Sequence, residues 1–172
     1  MANLLEQTFL EHINGHLGIA HKVCRLYCQD PEERVDLIQE MLYQLWKSYP
    51  AFGGRSSFTT WMYRVCLNTA LTWRKKATRT SWESLSISHQ QIPEQPADPN
   101  EEQRQSLYRA IATLSPLNKA IVLLYLDEVN YEEIADITGL SKSNVSVRLV
   151  RIKKELEIQL KKQADFPYNV NT

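Results

Sequence analysis

Between Met41 and Trp82 the chain carries seven basic residues, four tryptophans, three tyrosines and two phenylalanines, and not one Asp or Glu. Its densest part runs Phe58-Thr-Thr-Trp61-Met-Tyr63-Arg64-Val-Cys-Leu-Asn68-Thr-Ala-Leu-Thr-Trp73-Arg74-Lys75-Lys76. Cations interleaved with flat rings suit a strand of nucleic acid. The cations neutralise phosphates and release counterions, and each ring can stack on an unpaired base for ~1–3 kcal/mol. The same pattern also describes a helix that buries its rings and leaves its lysines in water. On this segment alone the two readings are equal.

A second pattern is more specific: Asn130-Tyr-Glu-Glu-Ile134-Ala135-Asp-Ile137-Thr-Gly139-Leu140-Ser141-Lys-Ser-Asn-Val145. A short capped helix, a glycine turn and a second Ser-capped helix form a helix-turn-helix. In the second helix Val145, Leu149, Ile152 and Leu156 recur at spacings of four, three and four and face the core. That leaves Lys142, Ser143, Asn144, Ser146, Val147, Arg148 and Arg151 near the exposed N-terminal half, suited to a major groove, with Lys153 and Lys154 near the backbone. An ordinary helical hairpin is the rival reading; cap, turn and basic face together favour DNA.

His21, Cys24 and Cys28 also share a helix face, at spacings open to zinc. Both cysteines sit among Val23, Leu26 and Tyr27 in an apolar helix, and no fourth ligand is evident, so core packing is expected and no metal. No nucleophile–base pair, Gly-rich phosphate loop or paired catalytic carboxylates occur. Neither an enzyme of its own nor a cofactor is expected.

The elements that must carry these residues are helical throughout. Asp30-Pro31-Glu32-Glu33 is a helix start with an Asp cap, Pro at the first position and Glu three residues past the cap. Ile38, Met41, Leu42, Leu45 and Trp46 follow as one apolar stripe, with Asp36, Glu40, Tyr43 and Lys47 opposite and Gln39 and Gln44 beside them. Tyr49-Pro50-Ala-Phe-Gly53-Gly54 ends that helix in a loop. The next helix starts near Ser57 and buries Phe58, Trp61, Met62, Val65 and Thr69, leaving Arg64, Asn68, Thr72 and Lys75 outside. An earlier helix spans Leu4 to Tyr27, interrupted near Gly15 or Gly18.

From Ala77 to Pro99 the apolar pattern lapses into Ser, Gln, Thr and three prolines. The expected organisation is all-α: a helical domain over 1–80, a flexible linker over 81–99, a second helical domain over 100–162 and a frayed tail over 163–172. The second domain opens at a capping arrangement, Asn100-Glu-Glu-Gln103, with Leu107, Ile111 and Leu114 on one face; Ser115-Pro116 starts its next helix.

Charge follows the same division. The formal net charge is zero, yet residues 1–40 carry three basic against seven acidic side chains, while 41–80 are basic throughout. Residues 101–140 again hold three basic against seven acidic, and 141–162 hold seven basic against two acidic. Two acidic-then-basic blocks predict two separate anion-facing surfaces. No apolar run reaches membrane-spanning length, no signal peptide is evident, and three cysteines without framework spacing suit a reducing compartment. A cytoplasmic protein without direct membrane insertion is expected.

Taken in order, Asp36-Leu-Ile-Gln39-Glu40, the run Phe52 to Ala70, Leu114-Ser115-Pro116, Tyr131-Glu-Glu-Ile134-Ala135 and Val145-Ser-Val-Arg148-Leu149-Val-Arg151 resemble an extracytoplasmic-function sigma factor. This is the minimal two-domain class of bacterial sigma factors, and the resemblance covers about residues 4–162. It implies that Asp36, Gln39 and Glu40, with Tyr43 on the same side, dock on the clamp helices of core RNA polymerase. It implies that the loop Phe52 to Ser57, with Gly53, Arg55 and Ser56, receives a flipped base of the minus-ten promoter element. Asn68 matches a base-reading position, flanked on its face by Arg64 and Thr72, and Lys75, Lys76 and Arg79 match phosphate contacts. Trp61 belongs to the same group, although its stripe position favours packing over a melting wedge.

The helix-turn-helix would read the minus-thirty-five element. Ser146 and Val147 stand where many relatives have a basic and a small hydroxyl residue, so methyl contact and shape should matter more than Arg–guanine pairs. Thr72 stands where relatives often have an acid. The resemblance further implies promoter DNA and an anti-sigma factor, often membrane-anchored, as partners. The alternatives are a stand-alone helix-turn-helix regulator, which leaves 52–76 and the Asp36 face unexplained, and an RNA-binding adaptor, which leaves the duplex-reading helix unexplained.

Overall fold

Asp30 starts the helix around which the first unit is arranged. Its carboxylate accepts from the backbone N–H of Glu32 at 2.8 Å and of Glu33 at 3.2 Å, satisfying two of the donors that a helix start leaves unpaired. Pro31 then opens α3, Pro31–Ser48. The computed structural model describes the backbone of residues 2–80 and 100–165, and side chains within 4–76 and 100–164. Contacts divide the chain into two units, Met1–Gln90 and Gln91–Thr172. Among the described residues all regular structure is helical. The expected linker, 81–99, lies outside them, as do residues 166–172 of the expected tail and the Arg79 side chain.

In the first unit the expected N-terminal helix is interrupted near Gly15, giving α1, Ala2–Asn14, and α2, Leu17–Tyr27. The break falls at Gly15-His16, where His16 N–H donates to Ile13 at 2.9 Å. After α3 a 3-10 turn, Tyr49–Ala51, leads through Gly53 and Gly54, both at positive φ, to α4, Phe58–Thr80. Ser57 caps α4, its Oγ accepting from the Thr60 N–H at 3.2 Å. Both α2 and α3 pack on α4 and on each other.

The stripe of α3 is centred differently from the sequence pattern. Leu37, Met41 and Leu45 are fully buried, whereas Ile38 and Leu42 are half-buried and Trp46 is 40% exposed. The buried row therefore lies one residue round from the expected one. Trp46 turns outward, edge-on to Phe9 at 5.1 Å. On α4 the burial is broader than expected: Tyr63, Cys66, Leu67 and Ala70 join Trp61, Met62 and Thr69, because two helices cover it, while Phe58 and Val65 are half-buried. Cys24 and Cys28 turn into the core, the packing read from the sequence for them, while His21 turns outward and leaves their face.

The second unit holds α5, Glu101–Ala112, α6, Pro116–Leu126, α7, Tyr131–Thr138, and α8, Lys142–Asp165. Asn100 stands at the start of α5 but makes no side-chain cap bond, contrary to the expected capping arrangement. Ser115 does cap α6, accepting from Asn118 N–H at 3.3 Å. Asn130 caps α7 through the N–H groups of Glu132 and Glu133 at 3.1 and 3.0 Å, and donates to the Glu133 carboxylate at 2.8 Å. Gly139, at φ 74, ends α7 in the left-handed conformation that a Cβ disfavours. Val145, Leu149, Ile152 and Leu156 are all buried, as their spacing predicts. The helix runs past 162 to Asp165, because Glu155 to Ala164 is almost wholly made of strong helix formers.

Two stability measurements check this core. Leu37→Ala should cost about 2–5 kcal/mol of unfolding free energy in denaturant titration, and Trp46→Ala much less, reversing their ranking by size. Burial pushes the Cys66 thiol up to about 12 from 9.0. Its folded value exceeds its unfolded one, so the stability it contributes is present below pH 9 and is lost as pH rises toward 12. Between pH 8 and pH 11 the melting temperature should therefore fall less steeply in Cys66→Ala than in the parent.

Candidate functional site

Each unit presents a surface built by its own helices. In the first, packing by α2 and α3 leaves α4 one open strip. Asn68, Thr72, Lys75 and Lys76 are exposed along it, and Arg64, half-buried, stands one turn before Asn68. The loop that precedes α4 rests on an aromatic cluster. Phe52 lies 5.0 Å from Trp61 and 5.9 Å from Phe58, and stacks with Tyr49 at 6.4 Å. Trp61 is 9% exposed and edge-on to Tyr49 at 6.1 Å. Its ring is a floor under the loop, not a wedge presented at the surface. His12 extends the cluster: its Nδ1 lies 2.9 Å from the Tyr49 hydroxyl and its ring 5.0 Å from Phe58. Above this floor Gly53 and Arg55 are exposed, as is Ser57, and Ser56 is half-buried. The structure thus brings 52–57 and the start of α4 together on a stiff base.

On α3 the outward face carries Asp36, Gln39 and Tyr43, with Glu40 half-buried at its edge and bonded to Gln44 Nε2 at 2.8 Å. Val35 and Trp46 share this face, with Val35 and Tyr43 each 55% exposed. Sequence reasoning missed these two. The signal was there in Leu37, Met41 and Leu45: taking that row, spaced every four residues, as the core rotates Val35 and Trp46 outward. The face combines two acids and an amide with aromatic and apolar side chains, a mixture suited to a protein partner.

In the second unit α8 lies against α7 and α6 in helix-turn-helix order. Ser141 caps it, accepting from Asn144 N–H at 3.2 Å. Ser143, Asn144, Val147, Arg151 and Lys154 are exposed, and Ser146 and Arg148 are half-buried. Val150, which sequence reasoning passed over, is 54% exposed beside Val147 and adds to the apolar part of the face. Its exposure follows from the buried row, since Leu149 and Ile152 turn it out.

Several cations here are already engaged. Lys142 meets the Glu132 carboxylate of α7 at 2.7 Å and holds it below the usual carboxylate range, by hydrogen bond first and charge second. Arg148 Nη1 donates to Asn118 Oδ1 of α6 at 3.3 Å. Lys153 donates to the Tyr125 hydroxyl at 3.0 Å, with its ammonium 4.3 Å from that ring's centroid. Arg151 and Lys154 have no polar partner among the described residues. Neither unit's described residues gather three metal-ligating side chains.

Two family models match the chain in the same order as these surfaces: Sigma-70 region 2 over residues 12–80 and Sigma-70, region 4 over residues 104–156. The ECF RNA polymerase sigma factor SigG of Mycobacterium tuberculosis is 30% identical over 158 residues, covering 76% of this chain and 42% of SigG, so the match spans less than half of that relative. The ECF RNA polymerase sigma-E factor of Escherichia coli K12 is 29% identical over 135 residues, 71% of each. A solved structure of the sigma factor RpoE in complex with the anti-sigma factor NepR, from Bartonella quintana, has a similar fold. Its TM-score is 0.71 at 19% identity, over 88% of this chain and 98% of that one. Region 2 and region 4 thus follow one another along a single chain, and the chain belongs to the sigma-70 family, in its extracytoplasmic-function class.

Proposed function

We propose that the chain is a dissociable, non-catalytic promoter-specificity subunit that binds core RNA polymerase and directs transcription initiation. The observation that carries this reading is the pairing of the two regional matches with two separate units, each bearing a basic face free of acids at its centre. The outward face of α3, with Asp36, Gln39, Glu40 and Tyr43, would meet polymerase. The loop Phe52–Ser57 would receive an unstacked base of the minus-ten element, and Asn68 would read a neighbouring base edge, since an amide both donates and accepts. Arg64, Thr72, Lys75 and Lys76 would follow the strand.

The exposed face of α8 would enter the major groove of the minus-thirty-five element. Each unit alone binds weakly; tethering raises the effective concentration of the second once the first is seated. Exposed valines at 147 and 150 favour thymine methyl groups, alongside cations that meet phosphate or guanine. Among the described residues no helix is long and apolar enough to cross a membrane. An anti-sigma factor, as bound to RpoE in the related fold, would hold the subunit in check.

In-vitro transcription with purified core polymerase tests the whole: specific initiation is expected, and a stand-alone regulator would give none. Arg151→Ala should weaken upstream-element binding and lower its salt slope by about one unit. An unchanged slope would remove Arg151 from the phosphates. Asp36→Arg with Glu40→Arg should spare the fold yet abolish polymerase pull-down. Asn68→Ala should keep pull-down and lose minus-ten opening, seen as fewer permanganate-reactive thymines, for one base contact worth ~1–3 kcal/mol. Loss of pull-down in Asn68→Ala would overturn the division between the two faces.

A further inference from the structure

Arg148 differs from Lys142 in what holds it. Lys142 meets a carboxylate, so an opposite charge stands beside it. Arg148 meets the side chain of Asn118, thirty residues earlier, at 3.3 Å, and among the described residues it has no other polar partner. A guanidinium has five N–H donors and no acceptor, so the amide oxygen of Asn118 is the atom that can face it. Asn118 is itself fixed at the capped start of α6, its N–H bonded to Ser115 Oγ at 3.3 Å. Both side chains are half-buried.

A neutral acceptor on a rigid helix start restrains a long, flexible cation, occupies one of its donors and leaves the full positive charge. α6 restrains a second cation at its other end, where the Tyr125 hydroxyl accepts from Lys153 at 3.0 Å and the Tyr125 ring face lies 4.3 Å from that ammonium. We propose that Asn118 is a positioning residue for promoter reading, aiming the Arg148 guanidinium at the upstream duplex without neutralising it. The inference rests on the reading of α8 as the duplex-facing helix. It gives α6 a part in sequence preference although α6 need not touch a base.

The test uses holoenzyme assembled from the full chain and core polymerase, and a pool of duplexes randomised across the upstream element. Asn118→Leu, close in size but without an acceptor, and Arg148→Ala should each weaken binding to the preferred duplex about tenfold. The double variant should be no weaker than Arg148→Ala, because Asn118 acts through Arg148. Asn118→Asp keeps the acceptor and adds a charge. It should retain the parent base preference while lowering affinity and reducing the salt slope by about one unit. Helical melting by circular dichroism separates binding loss from unfolding, and Asn118→Asp carries the test should Asn118→Leu not fold.

Additive losses in the double variant would overturn the inference, as would parent affinity in Asn118→Leu or an altered base preference in Asn118→Asp. Parent affinity in Arg148→Ala would overturn it together with the assignment of Arg148 to DNA. A loss in Arg148→Ala beside an unaffected Asn118→Leu would sink the positioning role alone.

Discussion

Burial on α4 is the constraint from which the first unit's surface follows. Two helices pack against it, so Met62, Cys66 and Ala70 are enclosed and Tyr63, Leu67 and Thr69 nearly so. A helix covered on two sides keeps one narrow strip in water. On α4 that strip holds Asn68, Thr72, Lys75 and Lys76 and no acid. The same packing presses Trp61 under the 52–57 loop, where it joins Phe52, Phe58 and Tyr49 in a stiff floor. Aromatic residues that looked like stacking platforms thus act mainly one layer down. They hold the backbone at which a base would be received.

The second unit solves a similar problem with less mass. α7 has only eight residues and would not persist alone; Asn130 and Gly139 close its ends, and Ile134 and Ile137 pin it to the core. That short helix fixes where α8 begins, and the row Val145, Leu149, Ile152 and Leu156 fixes which way α8 faces. Everything exposed on α8 follows from those two facts. The side chains that then reach back to α6 and α7 tune individual cations without altering the helix.

What was legible in the sequence was whatever one helix decides by itself. The helix starts at Asp30, Ser115, Asn130 and Ser141 are local chemistry, and each forms its cap. The α8 row was legible because α8 has a single core side. The α3 stripe was mis-centred: Met41 and Leu45 are buried as expected, but Leu37 completes their row in place of Ile38, Leu42 and Trp46, and only the position of α2 and α4 selects between the two settings. Asn100 shows the converse, a capping residue type whose side chain does not cap. Pairings such as Lys142 with Glu132 or Arg148 with Asn118 were invisible, because they depend on rotamers and on partners ten and thirty residues away.

The bridge between Lys142 and Glu132 has a consequence for how ions govern this surface. Any duplex laid along α8 must contend with Glu132, an intramolecular rival to phosphate that is tethered within reach of the same ammonium. Displacing it costs an existing attraction, and leaving it in place brings a carboxylate up to a polyanion. Lys142 therefore contributes less to counterion expulsion than an unpaired lysine at the same place would. The ionic-strength response of α8 should be gentler than a count of its cations implies, with the deficit located at its first turn.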